Sequence, residues 1–193
     1  MTDDGPVVSS YSSARPSWVV PVVQGVVILA LFAAIGWLAG RAWWELWSPA
    51  PKGVVYQQQW IPQPYAEGQG ADFAGTGWYV VVAVVAGLVL GLVAGLLLDR
   101  NEIVTLVAVV IGSALAAWVM LRVGLSLSPP DPEALAKTAK EGTELPGRLD
   151  LAGRLRPFGL GLDGQLRSPM LAFPIGAMAG LALALFGITK HRD

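Results

Sequence analysis

AGLVLGLVAG, residues 86–95, places Gly87, Gly91 and Gly95 four residues apart inside a long apolar run. A spacing of four brings residues to one face of a helix, and a face of glycines lets a second backbone come close. The surrounding run, GWYVVVAVVAGLVLGLVAGLLL at 77–98, contains no charged residue. At 1.5 Å per residue such a run reaches about 33 Å, enough for the ~30 Å hydrocarbon layer of a bilayer. A backbone in lipid must satisfy its own hydrogen bonds, so the run is read as a membrane-spanning helix.

Three further apolar runs have a similar length, at 18–40, 103–125 and 169–188. The whole chain agrees with them. Of its 193 residues 54% are hydrophobic and only 14% charged, against about 25% charged in a soluble domain. Mean hydropathy is +0.55. The sequence therefore predicts an all-α membrane protein, a bundle of four transmembrane helices. A formal net charge of -1 gives no basis for nucleic-acid binding. With no cysteine, disulfides, thiolate metal sites and cysteine nucleophiles are excluded. The single histidine, His191, lies in the C-terminal tail.

Residues 1–17 are polar and read as a disordered tail. The run that follows is too long, and its flank too poor in basic residues, for a cleaved signal peptide. The connection DRNE, residues 99–102, is short enough to make the second and third spans an antiparallel hairpin. The other two connections, 41–76 and 126–168, are long and emerge on the opposite face, leaving 189–193 as a tail beside the N-terminus. Trp43, Trp44, Trp47, Trp78, Tyr79 and Trp118 all fall toward the long-loop face and are read as an interfacial aromatic belt. Trp18 marks the other face.

The long loops read as structure. Asp131, Pro132 and Glu133 form a helix start, with Asp as N-cap, Pro at the first position and an acid in the first turn. That helix is expected over 132–141, closed by Gly142. RLDLAGRLR, 148–156, alternates charged and apolar residues with one slip, as a bulged strand or two short strands would. GVVYQQQW, 53–60, has the β-branched and aromatic residues of a strand. Neither loop buries much alone, so the two are expected to pair into a small α/β extramembrane cap.

Small residues recur at four-residue spacing on every span: Ala83, Gly87, Gly91 and Gly95; Ala108, Gly112 and Ala116; Ala172, Gly176, Gly180 and Ala184; Gly36 and Gly40. They are read as helix-packing positions within one bundle, with self-association into a homo-oligomer as the alternative. No span carries an ionisable residue near its middle, as a proton relay or ion path would need. Arg122 lies in the last turns of its span and can snorkel outward. Gln24, Thr105 and Ser113 are the main polar groups within spans, and Arg41 and Glu45 stand at i, i+4 as an ion pair would. Pro21 and Pro174 sit near helix starts, where a missing N–H costs little.

The loop carboxylates Glu67, Asp72, Asp131, Glu133, Glu141, Glu144, Asp150 and Asp163 are mostly interleaved with Lys and Arg and read as solvated surface charge. No Ser/His/Asp set, phosphate loop or metal-ligand cluster is legible. Neither a catalytic residue nor a cofactor is expected.

GADFAGTGWYVVVAVVAGLVLGL, a short charged turn, IGSALAAWVMLRVG, and then EGTELPGRLDL before the last span form an ordered set. From about Trp43 onward this pattern resembles an uncharacterised family of actinobacterial four-span membrane proteins. The DRNE turn is less basic than that family's. The resemblance implies a multi-pass protein of the plasma membrane with cytoplasmic termini and loops facing the cell envelope. A plain count of Lys and Arg would instead put the loops inside, but charges within a folded segment weigh less in that rule. The expected function is that of a non-enzymatic accessory or scaffold protein, held by the lipid bilayer and acting on an envelope partner through its loops. The alternatives are a transport or channel component, oligomerising through small-residue faces, and an envelope enzyme using loop carboxylates.

Overall fold

The structure, a computed structural model, describes residues 19–97, 102–151 and 168–189. The expected N-terminal tail, Trp18, residues 99–101 of the turn, the second half of the 148–156 segment, Asp163 and His191 lie outside the described residues. In chain order the elements are α1 (Val19–Trp47), β1 (Lys52–Tyr56), β2 (Gln59–Pro62), α2 (Tyr65–Leu97), α3 (Glu102–Leu127), α4 (Pro132–Ala136), β3 (Glu144–Pro146), a 3-10 turn (Ser168–Leu171) and α5 (Ala172–Thr189). Among the described residues, four helices are long and apolar enough to cross a membrane.

Their arrangement is not a pair of sequential hairpins. α1 packs chiefly on α3, and α2 chiefly on α5, while the consecutive α2 and α3 touch far less. Both close pairs run parallel. A Cβ on Gly36 would lie 2.7 Å from the Ala116 carbonyl oxygen, and one on Gly40 2.7 Å from that of Met120. The numbers rise together, so α1 and α3 point the same way. In the second pair Gly87 faces Phe173 and Gly91 faces Ala177, while a Cβ on Gly95 would meet the Ala184 methyl at 2.5 Å. Gly176 and Gly180 return the contact against the backbone of Val84 and Leu88. The pairs then join through α1–α2 and α3–α5. Phe32 of α1 and Phe173 of α5 meet across the centre, centroids 6.2 Å apart.

One buried polar contact ties α1 to α3 at the end nearer the N-terminus: the Gln24 side-chain amide donates to the Thr105 hydroxyl at 2.7 Å. The Ser113 hydroxyl donates instead to Val110 O in its own helix at 2.9 Å. Both arrangements answer the cost of leaving a buried polar group without a partner.

At the opposite end the two long loops form one antiparallel sheet in the order β2-β1-β3. β1 pairs with β2 across a two-residue turn, Gln57 and Gln58, both at positive φ (51° and 59°). GVVYQQQW is therefore a hairpin, not one strand, because the chain reverses at its glutamines. β3 comes from the second loop, with Gly53 opposite Leu145 and Val54 opposite Glu144.

Three further expectations are corrected. α2 begins at Tyr65, twelve residues before the apolar run, despite glycines at 68, 70, 75 and 77 that disfavour helix. α4 ends at Ala136 rather than 141. Past Ala136 the sequence KTAKEG offers little apolar surface to bury, and Gly142, at φ +79°, turns the chain so that its N–H reaches Val55 O at 2.9 Å. Residues 148–151 are not a strand. Their alternation is one of burial: Leu149 and Leu151 point inward, but their N–H groups donate to Ser128 Oγ (2.7 Å) and Asp150 Oδ1 (2.8 Å) instead of to a ladder.

Candidate functional site

Among the described residues, side chains from α1, α2, α3 and the second loop meet at the junction between sheet and bundle. Trp43, near the end of α1, has no exposed surface. Its indole N–H donates to Gly75 O on α2 at 2.7 Å. Its ring stands edge-on to Tyr79, centroids 5.0 Å apart at 81°. On α3 it fills the space a side chain at Gly124 would need. Tyr79, equally buried, donates its hydroxyl to Ala117 O at 2.9 Å. Two aromatic side chains thus bind three helices together, each with its polar atom satisfied.

The cap sits directly on this node. A Cβ on Gly75 would lie 3.3 Å from both Leu149 of the second loop and the Trp47 indole. Ser128, just past α3, holds the Leu149 N–H. Within the sheet, the Trp60 indole lies against Gly53, where any side chain would collide with its ring. From there its indole N–H reaches Leu145 O on β3 at 3.0 Å. One tryptophan on β2 therefore spans β1 and bonds the far strand.

Trp43 and Tyr79 are consequently not belt residues, and Trp47 is also largely buried. Trp78 and Trp118 are exposed, and Trp44 is half-buried with its ring 5.5 Å from that of Trp47. Trp43 falls on the α1 face already marked by Gln24, Ile28, Phe32, Gly36 and Gly40. That spacing of three and four was the available signal that its ring turns inward. Of the helix-packing positions, Ala83, Ala108, Ala116 and Ala184 are buried, and Gly112 faces Phe32, whose Cδ2 would lie 2.9 Å from an added Cβ. The glycine faces that an oligomer would use are thus occupied within one chain.

The carboxylates do not converge. Asp131 caps α4 by accepting from the Glu133 N–H at 3.1 Å and lies 4.0 Å from Arg148. Glu141 accepts from the Gln57 N–H at 3.1 Å, across the β-turn. Glu144 is an exposed residue of β3. The side chains of Glu67 and Asp72 lie outside the described residues. Among the described residues, no three His, Asp or Glu side chains stand close enough to hold a metal ion. Arg41 and Glu45 do not form the expected pair: the guanidinium turns back over the Trp37 ring, 5.3 Å from its centroid. Arg122 does the same over Trp118, also at 5.3 Å.

Compared with known protein families, with curated proteins and with solved structures, the chain matches none.

Proposed function

We propose that this chain is a multi-pass protein of the plasma membrane whose bundle is an anchor and whose cap is the interacting part. It carries out no reaction of its own and serves as an accessory or scaffold of an envelope assembly. In this reading both termini lie in the cytoplasm and the cap faces the envelope, as in the actinobacterial four-span family that the sequence resembles. The observation that carries it is the clamped junction. Strands from two loops share a sheet, and Leu149 is packed against α1 and α2 while its N–H is held by Ser128. A cap fixed in this way presents a constant shape. Its hairpin and the loop-side end of α2 carry exposed aromatic residues, Tyr56 and Phe73 (57% and 84% exposed), of the type enriched at protein interfaces.

Two measurements test the proposal. The chain has no cysteine, so a single cysteine at Gln58 or Thr138, both exposed, reports sidedness without background. Labelling from outside intact cells is expected; protection there inverts the orientation. A photo-crosslinker at Tyr56 is expected to trap one discrete partner, absent when the crosslinker sits at exposed Leu183 near the other end. No cap-dependent partner from Tyr56 or Gln58 removes the scaffold reading.

A further inference from the structure

One local arrangement occurs twice in the bundle. WLAGR (37–41) and WVMLR (118–122) each place an arginine four residues after a tryptophan. In each the guanidinium lies back over the ring, 5.3 Å from its centroid. All four side chains are exposed. Among the described residues no carboxylate lies within ion-pair reach of either arginine.

Helix pairing brings the two stacks to one level. Gly36 faces Ala116 and Gly40 faces Met120, so α1 and α3 run side by side at a constant offset of 80 residues. Arg41 and Arg122 therefore differ in height by one residue, about 1.5 Å. α2 crosses the same level near Val81, because Trp43 meets Tyr79 and Trp47 meets Gly75 as the two helices run antiparallel. The uncharged part of the helices ends here too. α1 has no charged residue from Val19 to Gly40, and α3 has none from Ile103 to Leu121. From Glu102 to Arg122 α3 rises about 30 Å, the thickness of a hydrocarbon layer. A guanidinium without a counter-charge is costly inside that layer, and tryptophan favours its edge.

We infer that the loop-side boundary of the bilayer lies at the level of Arg41 and Arg122. There the guanidiniums meet the headgroup layer, and Trp37 and Trp118 meet the outermost hydrocarbon. The inference rests on the membrane reading above and deepens it, because it sorts the exposed aromatic residues by what surrounds them. Phe73 stands eight residues beyond Val81, about 12 Å along α2. One headgroup layer is roughly 5–7 Å deep. The ring of Phe73 therefore projects past the lipid into water and does not anchor the chain in the leaflet.

The test is depth measurement on the full chain in vesicles of phosphatidylcholine and phosphatidylglycerol. With no native cysteine, single nitroxide labels go on exposed Leu38, Leu46, Phe73, Val85, Ile111 and Leu127. Collisions with oxygen report hydrocarbon, and collisions with a water-soluble nickel chelate report the aqueous side. Oxygen should dominate at Leu38, Val85 and Ile111, and nickel at Leu46, Phe73 and Leu127. The ratio should thus invert between Leu38 and Leu46, eight residues apart on one helix. α2 and α3 repeat the reading, so one variant that fails to fold does not decide it. A boundary one or two turns nearer the loops, at the level of Trp47, would let oxygen dominate at Leu46 and Leu127 and would overturn the inference. Nickel reaching Leu38 and Val85 while Ile111 stays protected would overturn it from the other side. Nickel at all six sites, Ile111 included, would instead remove the membrane reading itself and the inference with it.

Discussion

Trp43 and Tyr79 meet edge to face at 5.0 Å, and each sends its polar hydrogen to the backbone of a different helix, Gly75 O and Ala117 O. The pair therefore fixes three helices at once, at the level where the cap is seated. Trp43→Ala should cost about 3–5 kcal/mol, the usual loss for a large buried aromatic. Tyr79→Phe keeps the ring and removes only the hydroxyl's bond to the Ala117 carbonyl, for about 1 kcal/mol. Thermal unfolding in detergent micelles measures both. In a double-mutant cycle the two rings should couple by about 1 kcal/mol; strict additivity would mean that the edge contact is energetically silent.

Glycines of the same helix should respond with opposite sign. At Gly91 an added Cβ would run into the Ala177 carbonyl, a backbone group that cannot swing aside. Gly91→Ala should lower the melting temperature, and Gly91→Leu should separate α2 from α5 through overpacking. At Gly77 nothing lies within 4 Å of such a Cβ. There Gly77→Ala should be neutral or stabilising by up to about 1 kcal/mol, because alanine favours the helix. A normal melt for Gly91→Leu would mean that α2 and α5 are not in contact.

The hairpin carries avoidable strain. Gln57 and Gln58 both occupy the left-handed region, which costs a non-glycine residue roughly 1–2 kcal/mol. Gln58→Gly should recover about 1 kcal/mol and slow protease cleavage at the turn. Gly53→Ala should do the reverse, since the Trp60 ring occupies the space a methyl would need. Limited proteolysis of the two variants ranks them; faster cleavage of Gln58→Gly would show that the turn adopts another geometry.

The Gln24–Thr105 bond offers a third contrast. Gln24→Leu or Thr105→Val alone removes the buried 2.7 Å bond between the two helices, and each should cost about 1 kcal/mol. Made together they should cost less than the sum of the two, because the same bond is lost only once. A double variant as unstable as the sum of the singles would show that the amide packs rather than bonds.

The helices were legible because a long apolar run without a charge is a local property of the sequence. The small-residue stripes were legible too, since a spacing of four is a local property. Which stripe meets which was not. Gly87 finds Phe173 and Gly36 finds Ala116 across some eighty residues, and nothing in one stripe names its partner. The aromatic node was misread for a related reason. Tryptophan favours the interface by composition, yet Trp43 and Trp44 stand 100° apart on one helix, and only the surroundings decide which ring turns inward. RLDL looked like a strand because alternating burial and ladder pairing leave the same trace in sequence. The first turns of α2 were hidden by their glycines. Gly75 earns its place through contacts with Trp43, Trp47 and Leu149, all distant in the chain.

The parallel pairing of α1 with α3 and of α2 with α5 also sets the order in which the molecule can be completed. A ribosome delivers α1 and α2 first, and neither then has its main partner. The glycine face of α1 stays open until α3 emerges, and that of α2 until α5, the final helix, has been made. β1 likewise waits for β3, which is synthesised after α3. No half of this chain is a finished unit, so a nascent chain arrested before α5 exposes Gly87, Gly91 and Gly95 to whatever surveys unassembled helices.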